Sequence, residues 1–385
     1  MNKGLRIGTI VLALALGACG SSSEEEKLKQ PVDLPEFDAK VSVSTEWKKD
    51  LGSDGNRPFG FIEPVIHGQH IYVASGGGKV FKLDKKTGDQ KWKTDLNATL
   101  VSGVAYGDGS IYVGLKNGVL VCLNENDGIK RWEISLGGEI MAPVAVDKGH
   151  VFAQTANGLL LGLDQENGEE VWRSQSTLPL LTVRGTATPI VIDGTVITGL
   201  ANGKLVAIDI KTGIQRWDSR LAIPSGSSDI EKVVDVDVKP LLLGNRILAG
   251  SYNGSIAMVD AATGQAFWQK ETSVRGDLSE GFGNVYFASS EGEIIAYDAS
   301  SAQIQWVNES LLRRGLGDTA TWINYVIAAD YKGYLHILSQ RDGSLVGRSK
   351  IGGQLPRSPF VISDNTLYVL NDEGKLFALT LENKE

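Results

Sequence analysis

The chain has 385 residues, with 38 Lys and Arg against 46 Asp and Glu, and a formal net charge of −8 at pH 7. It carries no basic stripe and no block of basic residues, which argues against a nucleic-acid partner. Its two cysteines, Cys19 and Cys122, support neither a disulfide framework nor a zinc or c-type haem site, and its 46 glycines fit a turn-rich, all-β chain.

Residues 1–18 read as a signal peptide. Lys3 and Arg6 form a positive start, and Ile7 to Leu16 is an apolar stretch too short to cross a bilayer. The run Leu16-Gly17-Ala18-Cys19 resembles a bacterial lipobox, in which the cysteine becomes the lipidated first residue of the mature protein. With Gly20 rather than Asp after it, the resemblance implies sorting to the outer membrane, held there by lipid. Residues 20–40 are rich in Ser, Glu and Pro, so 19–40 is expected to be a lipidated N-terminus and flexible tether. Residues 41–385 are then one folding unit.

Within that unit, TEWKKDL (45–51) ends in the style of a repeat whose beginning is missing. GSDGNRPFGF (52–61) reads as an insert, and HGQH places His67 and His70 at a turn. Two histidines with no third ligand in view are better read as a solvated turn than as a metal site. The first complete repeat tag is LDKKTGDQKW (83–92). It returns as LNENDGIKRW, LDQENGEEVW, IDIKTGIQRW and VDAATGQAFW, and more weakly as YDASSAQIQW and LSQRDGSLVG. The tags end at residues 92, 132, 172, 217, 268, 306 and 347, giving intervals of 40, 40, 45, 51, 38 and 41. Between tags lie short apolar runs such as Ile111-Tyr112-Val113 and Val119 to Leu123, separated by Asn117-Gly118, a strong hairpin signal in which both turn residues are expected at positive φ. Equivalent turns at Gly78, Gly158, Gly203, Gly254, Gly292, Gly333 and Gly374 make eight units of four short strands. A period near 40 with strand-length runs is that of a propeller blade. The expectation is an eight-bladed β-propeller of four-stranded antiparallel blades. Each Trp would pack between blades, each Asp would cap a turn, and Cys122 would be a small buried hydrophobe. The C-terminal stretch TLYVLNDEGKLFALTLENKE stops before any Trp, so the strand around Trp47 should complete the last blade and close the ring.

Two intervals are long. The first contains STLPLLTVRGTATP (176–189) and the second LAIPSGSSDIEKVVDVDVKP (221–240). Extra loop on a rigid scaffold is where binding is usually placed. In an extended VVDVDVKP segment, Asp235 and Asp237 share one side and the valines the other, so the aspartates would face a cavity or solvent. A Ca²⁺ site, a solvated face and a protein-recognition surface all fit that pattern.

The Asp-x-x-Thr-Gly-x-x-x-Trp tag is similar to the repeat of the pyrroloquinoline-quinone (PQQ) enzymes, over nearly all of residues 45–380. Ser301-Ala302 and Gly347 depart from it. Taken with the lipobox and the acidic tether, the chain resembles the BamB family, lipoprotein scaffolds of the outer-membrane β-barrel assembly machinery. Members carry a Leu-x-Leu-Arg-Gly loop and an Asp-Val-Asp segment that contact the BamA subunit. Leu181-Thr182-Val183-Arg184-Gly185 and Asp235-Val236-Asp237 match these, with Val183 for Leu a mild departure. The resemblance implies a non-enzymatic chain without cofactor or metal, lipidated at Cys19. It would bind BamA through Leu181, Val183, Arg184, Asp235 and Asp237, and assist folding and insertion of barrel proteins. Exposed blade edges would offer strand pairing to unfolded outer-membrane substrates. The alternative is a PQQ-dependent dehydrogenase, against which stand the missing Cys-Cys pair and the absence of a grouped acid with metal ligands. A lipoprotein propeller with an unrelated partner is a third reading.

Overall fold

The structure is a computed structural model and describes residues 30–52, 62–182, 186–225, 227–229, 232–353 and 359–384. In the second blade, Leu100–Gly107, Ser110–Leu115, Val119–Asn124 and Lys130–Ser135 hydrogen-bond in sequence order as an antiparallel sheet. Its middle strands are buried on both faces, since a blade has a neighbour on each side. The outermost strands instead alternate. In Gln90–Asp95, Trp92 is buried while Lys91 and Lys93 face solvent. The described residues contain eight such sheets and form an eight-bladed β-propeller. The core is a series of seams between blades; Ala105, Tyr112, Leu120 and Cys122, for example, pack against Val151, Ala153, Leu161 and Leu163 of the next sheet. Cys122 is a packing residue there, and burial pushes its thiol pKa up.

The tags latch these seams. Trp92 Nε1 donates to the Glu125 carbonyl at 2.9 Å, Trp132 to Gln165 at 3.0 Å, Trp172 to Ile210 at 2.8 Å and Trp217 to Ala261 at 3.1 Å, each in the tag of the following blade. The indole also lies on that tag's glycine. A Cβ added to Gly213 would sit 2.8 Å from the Trp172 ring, and φ there is 70°. Two requirements thus converge on glycine, a left-handed backbone and room for an indole. The tag Asp fixes the turn, since Asp209 Oδ1 accepts the Lys211 and Thr212 N–H groups at 3.0 and 2.9 Å. Where Gly347 replaces the Trp, Val41 fills the space. The fully buried Trp322, from the innermost strand of the same blade, donates to the Asn365 carbonyl at 2.8 Å instead.

The ring closes as expected. Val41–Asp50 pairs antiparallel with Lys375–Asn383, and Trp47 Nε1 donates to the Lys85 carbonyl of the first blade at 3.1 Å. Two expectations need correction. At Asn117-Gly118 only the glycine is left-handed, so the turn is a type I with a glycine bulge, not one with both residues at positive φ. That second geometry lies in the inner hairpins, at Asp108-Gly109 and Asp193-Gly194. Second, residues 30–40 are not a solvated tether. They lie against the outer edge of blades 6 and 7, with Lys40 N–H donating to the Val346 carbonyl at 2.8 Å. Their backbone carbonyls find arginine partners, a pairing that local composition does not announce.

The propeller has two rims. One bears the tag turns and the inner hairpin turns, and is called the tag rim here. The other bears the turns between second and third strands and every connection from blade to blade; it is the crossing rim.

Candidate partner-binding rim

Both long intervals are blade-to-blade connections, so they emerge on the crossing rim. The first follows Glu170–Gln175 and leads into Ile190–Ile192; the second follows Gln215–Arg220 and leads into Leu241–Leu243. The base of the first is pinned, with Ser176 N–H and Oγ both donating to the Gly158 carbonyl at 2.9 and 3.0 Å. Leu178 and Leu181 are exposed, and Leu180 is 102% exposed, as open as in a free peptide. Ile223, at the start of the second connection, is also exposed. Four apolar side chains left in water on two consecutive connections form a surface that the fold itself does not use. Val183 and Arg184, like Cys19, lie outside the described residues.

The second connection returns to the body of the propeller. Val234, Val236 and Val238 are buried, as the alternation implied. Val236 packs on Gly199 and joins the seam between blades 4 and 5, where its N–H donates to the Leu200 carbonyl at 3.1 Å. Asp235 does not face solvent. It is 1% exposed, and its carbonyl accepts the Tyr252 N–H at 2.9 Å. Both sides of this segment are enclosed, because it lies in the cleft between two blades rather than on a sheet surface. Asp237 is partly buried, and burial lifts its carboxyl to about 6.

Asp237 leads toward a charged cluster at the axis. Lys239 Nζ lies 3.2 Å from Glu63 Oε1, and its N–H donates to Asp277 Oδ1 at 3.4 Å. Asp277 N–H in turn donates to Asp318 Oδ1 at 2.7 Å. Burial, with the Asp318 and Glu63 charges, raises the Asp277 carboxyl well above its ordinary range, and burial also raises Asp318, to about 6. The Glu63 charge holds Lys239 protonated. Glu63, Lys239 and Asp277 border a cavity of about 310 Å³ together with Glu280, Thr319 and Phe360. His67 stacks on Tyr106 with ring centres 3.9 Å apart.

The sequence family described as outer membrane protein assembly factor BamB matches residues 40–102 and 97–308. The curated BamB of Pseudomonas aeruginosa is 43% identical over 371 residues, covering 96% of this chain and 98% of that one. The chain belongs to the BamB family. The BamB crystal structure from Moraxella catarrhalis superimposes with a TM-score of 0.81 at 26% identity, over 88% of this chain and 99% of that one. A quinohemoprotein alcohol dehydrogenase from Comamonas testosteroni reaches a TM-score of 0.69 at 15% identity, over 88% of this chain and 76% of that one, a likeness of fold alone.

Among the described residues, this BamB-family chain exposes apolar side chains on this rim beyond the expected Leu181. Leu178, Leu180 and Ile223 were missed. The run Leu178-Pro179-Leu180-Leu181 held the signal, an apolar stretch beside a proline in a segment too long to be a simple connection. The axial cluster was missed as well. Its members are scattered from Glu63 to Asp318, and only ring closure brings them together.

Proposed function

We propose that this chain is a non-enzymatic scaffold lipoprotein of the outer-membrane β-barrel assembly machinery. It is anchored through lipid on Cys19 at the periplasmic face of the outer membrane, docks on BamA, and assists folding and insertion of barrel proteins. The full-length likeness to an assembly factor carries the reading. The exposed Leu178, Leu180, Leu181 and Ile223 support it, since apolar side chains held on a rigid rim suit a protein contact. Arg184 would add a charge-assisted contact, while Asp235, enclosed between blades with its carbonyl on the Tyr252 N–H, holds the neighbouring segment in place rather than reaching out, and Asp237 is partly buried beside it. Affinity capture from detergent-solubilised membranes should recover BamA, and Cys19→Ser should release the chain from the membrane fraction. Recovery of other chains without BamA would contradict the docking, and unchanged membrane attachment of Cys19→Ser would contradict the anchor.

The dehydrogenase reading is weakened by the axial cavity. Among the described residues its wall sets Glu63, Glu280, Asp277 and the adjoining Asp318 against Lys239, a poor seat for the polyanionic quinone PQQ. The described residues do not fit that cofactor.

A further inference from the structure

Each inner hairpin turns on the tag rim through a first residue at positive φ. In six of the eight blades that residue is Gly, Asp or Lys, as at Asp108, Lys148 and Gly244. Blades 6 and 7 differ. Phe282 holds the position at φ 49° and Ile323 at φ 57°. A bulky or β-branched side chain is strained in the left-handed region. In the Ile323 turn the next residue, Asn324, is not left-handed, a pattern for which blades 1 and 5 use Gly68 and Gly244. Burial does not offset the strain, since Phe282 is 74% and Ile323 49% exposed. The fold gains neither an easy turn nor a packed side chain from these two residues, and unrewarded strain of this kind points to a site.

A groove of about 460 Å³ lies between the two turns. Phe282 and Tyr325 give it apolar surface, and Asn284, Gln305 and Asn324 give it side-chain amides. Among the described residues Arg341 is its one charged group. Its floor is braced by Gln340, which is only 4% exposed. Gln340 Nε2 donates to the Ile323 and Tyr325 carbonyls at 3.1 and 3.2 Å. The Tyr286 hydroxyl lies 3.3 Å from Gln340 Oε1 and 3.2 Å from the Gly281 carbonyl, beside Phe282, so one side chain ties both turns together. The Gln340 carbonyl also accepts the Trp306 indole N–H at 2.9 Å, which joins the floor to the latch between these blades. A site preset in this way loses little freedom when a ligand arrives.

We propose that this groove binds an extended peptide segment that carries an apolar side chain and a carboxylate. Each Asn or Gln amide offers a donor and an acceptor, the complement of a peptide group. Phe282 and Ile323 offer apolar contact, and the Arg341 guanidinium takes a carboxylate in fork geometry. A neutral saccharide would leave that charge unanswered and find no ring face at Ile323. The site lies on the rim opposite the exposed leucines and does not depend on docking to BamA.

The test uses the mature chain with Cys19→Ser and capped nonapeptides of Ser, Thr and Gly that carry one Phe and one Glu, one to four residues apart. Fluorescence anisotropy of dye-labelled peptides gives affinity, and NMR of labelled isoleucine methyls gives place. At least one spacing should shift the Ile323 methyl and bind at least about 10-fold tighter than the same peptide with Lys for Glu. Arg341→Glu should reverse that preference. Phe282→Asn and Ile323→Gly relieve the turns, so each should raise the melting temperature while weakening binding at least about 5-fold. Absence of binding below about 1 mM for every spacing overturns the proposal. So does binding that leaves the Ile323 methyl unmoved, or that is unchanged in Phe282→Asn and Arg341→Glu. A response of that methyl to a chitin tetrasaccharide and to none of the peptides would assign the groove to carbohydrate and overturn it as well.

Discussion

Gly213 and Ala302 occupy equivalent tag positions and show what one Cβ costs. Both backbones are left-handed, at φ 70° and 54°. At Gly213 the Trp172 ring leaves no room for a methyl, whereas blade 6 carries Ala302 in the strained conformation. Gly213→Ala should cost about 2–4 kcal/mol, strain plus a displaced indole, and Ala302→Gly should gain up to about 1 kcal/mol. Melting temperatures of the two variants, shifted in opposite directions, are the check.

Asp237 gives a pH signature. Burial lifts its folded pKa from 3.8 to about 6. A carboxyl raised on folding weakens the fold where it is ionised. The cost is complete above about pH 6, fades as the pH falls, and is gone below its unfolded value. Asp237→Asn should therefore stabilise the chain by about 1–2 kcal/mol at pH 7.5 and leave it unchanged at pH 4. A gain equal at both pH values would show that the carboxyl is not strained by burial. Asp235 is a different case. An exposed loop residue would tolerate alanine, but this one is enclosed between blades, so Asp235→Ala should lower stability as well as partner capture.

At the scale of elements, the closing strand bears the most. Val41–Asp50 supplies the outer strand of the last blade and the first of the tryptophan latches. Deleting 41–50 uncovers the ladder at Leu376 to Leu379 and opens the ring, and should lower the melting temperature by well over 10 °C or abolish cooperative unfolding. An unchanged melting curve would mean the ring closes elsewhere. This strand was legible because Trp47 was half a tag and the C-terminus lacked the other half. The strap from residue 30 to 40 was not legible, because its partners Arg314 and Arg348 lie some 300 residues away and nothing in a Pro- and Glu-rich stretch announces them. The turn geometry was misassigned for a local reason. Asn-Gly serves both hairpin types, and the number of residues between paired strands, not the dipeptide, decides which forms.

For the whole molecule, the tags made the blade number and order readable, since seven copies of one packing solution leave few alternatives. The candidate rim was readable in part. Interval length pointed to the two connections, but which of their side chains remain in water depends on the cleft between blades 4 and 5. That cleft takes in the Asp-Val-Asp segment and leaves the leucines out. The partner contact is therefore expected to centre on the first connection, with Arg184→Ala costing about 2–5 kcal/mol of binding to BamA.

Docking of this rim on BamA can be read from a binding measurement between the purified chain and the periplasmic part of BamA. Leu180→Asp with Leu181→Asp removes exposed apolar area without touching the blades, so the melting temperature should stay within about 1–2 °C of the parent. The pair should weaken binding at least about 30-fold, the equivalent of about 2 kcal/mol at an apolar anchor. A folded double variant that binds BamA as tightly as the parent would contradict it.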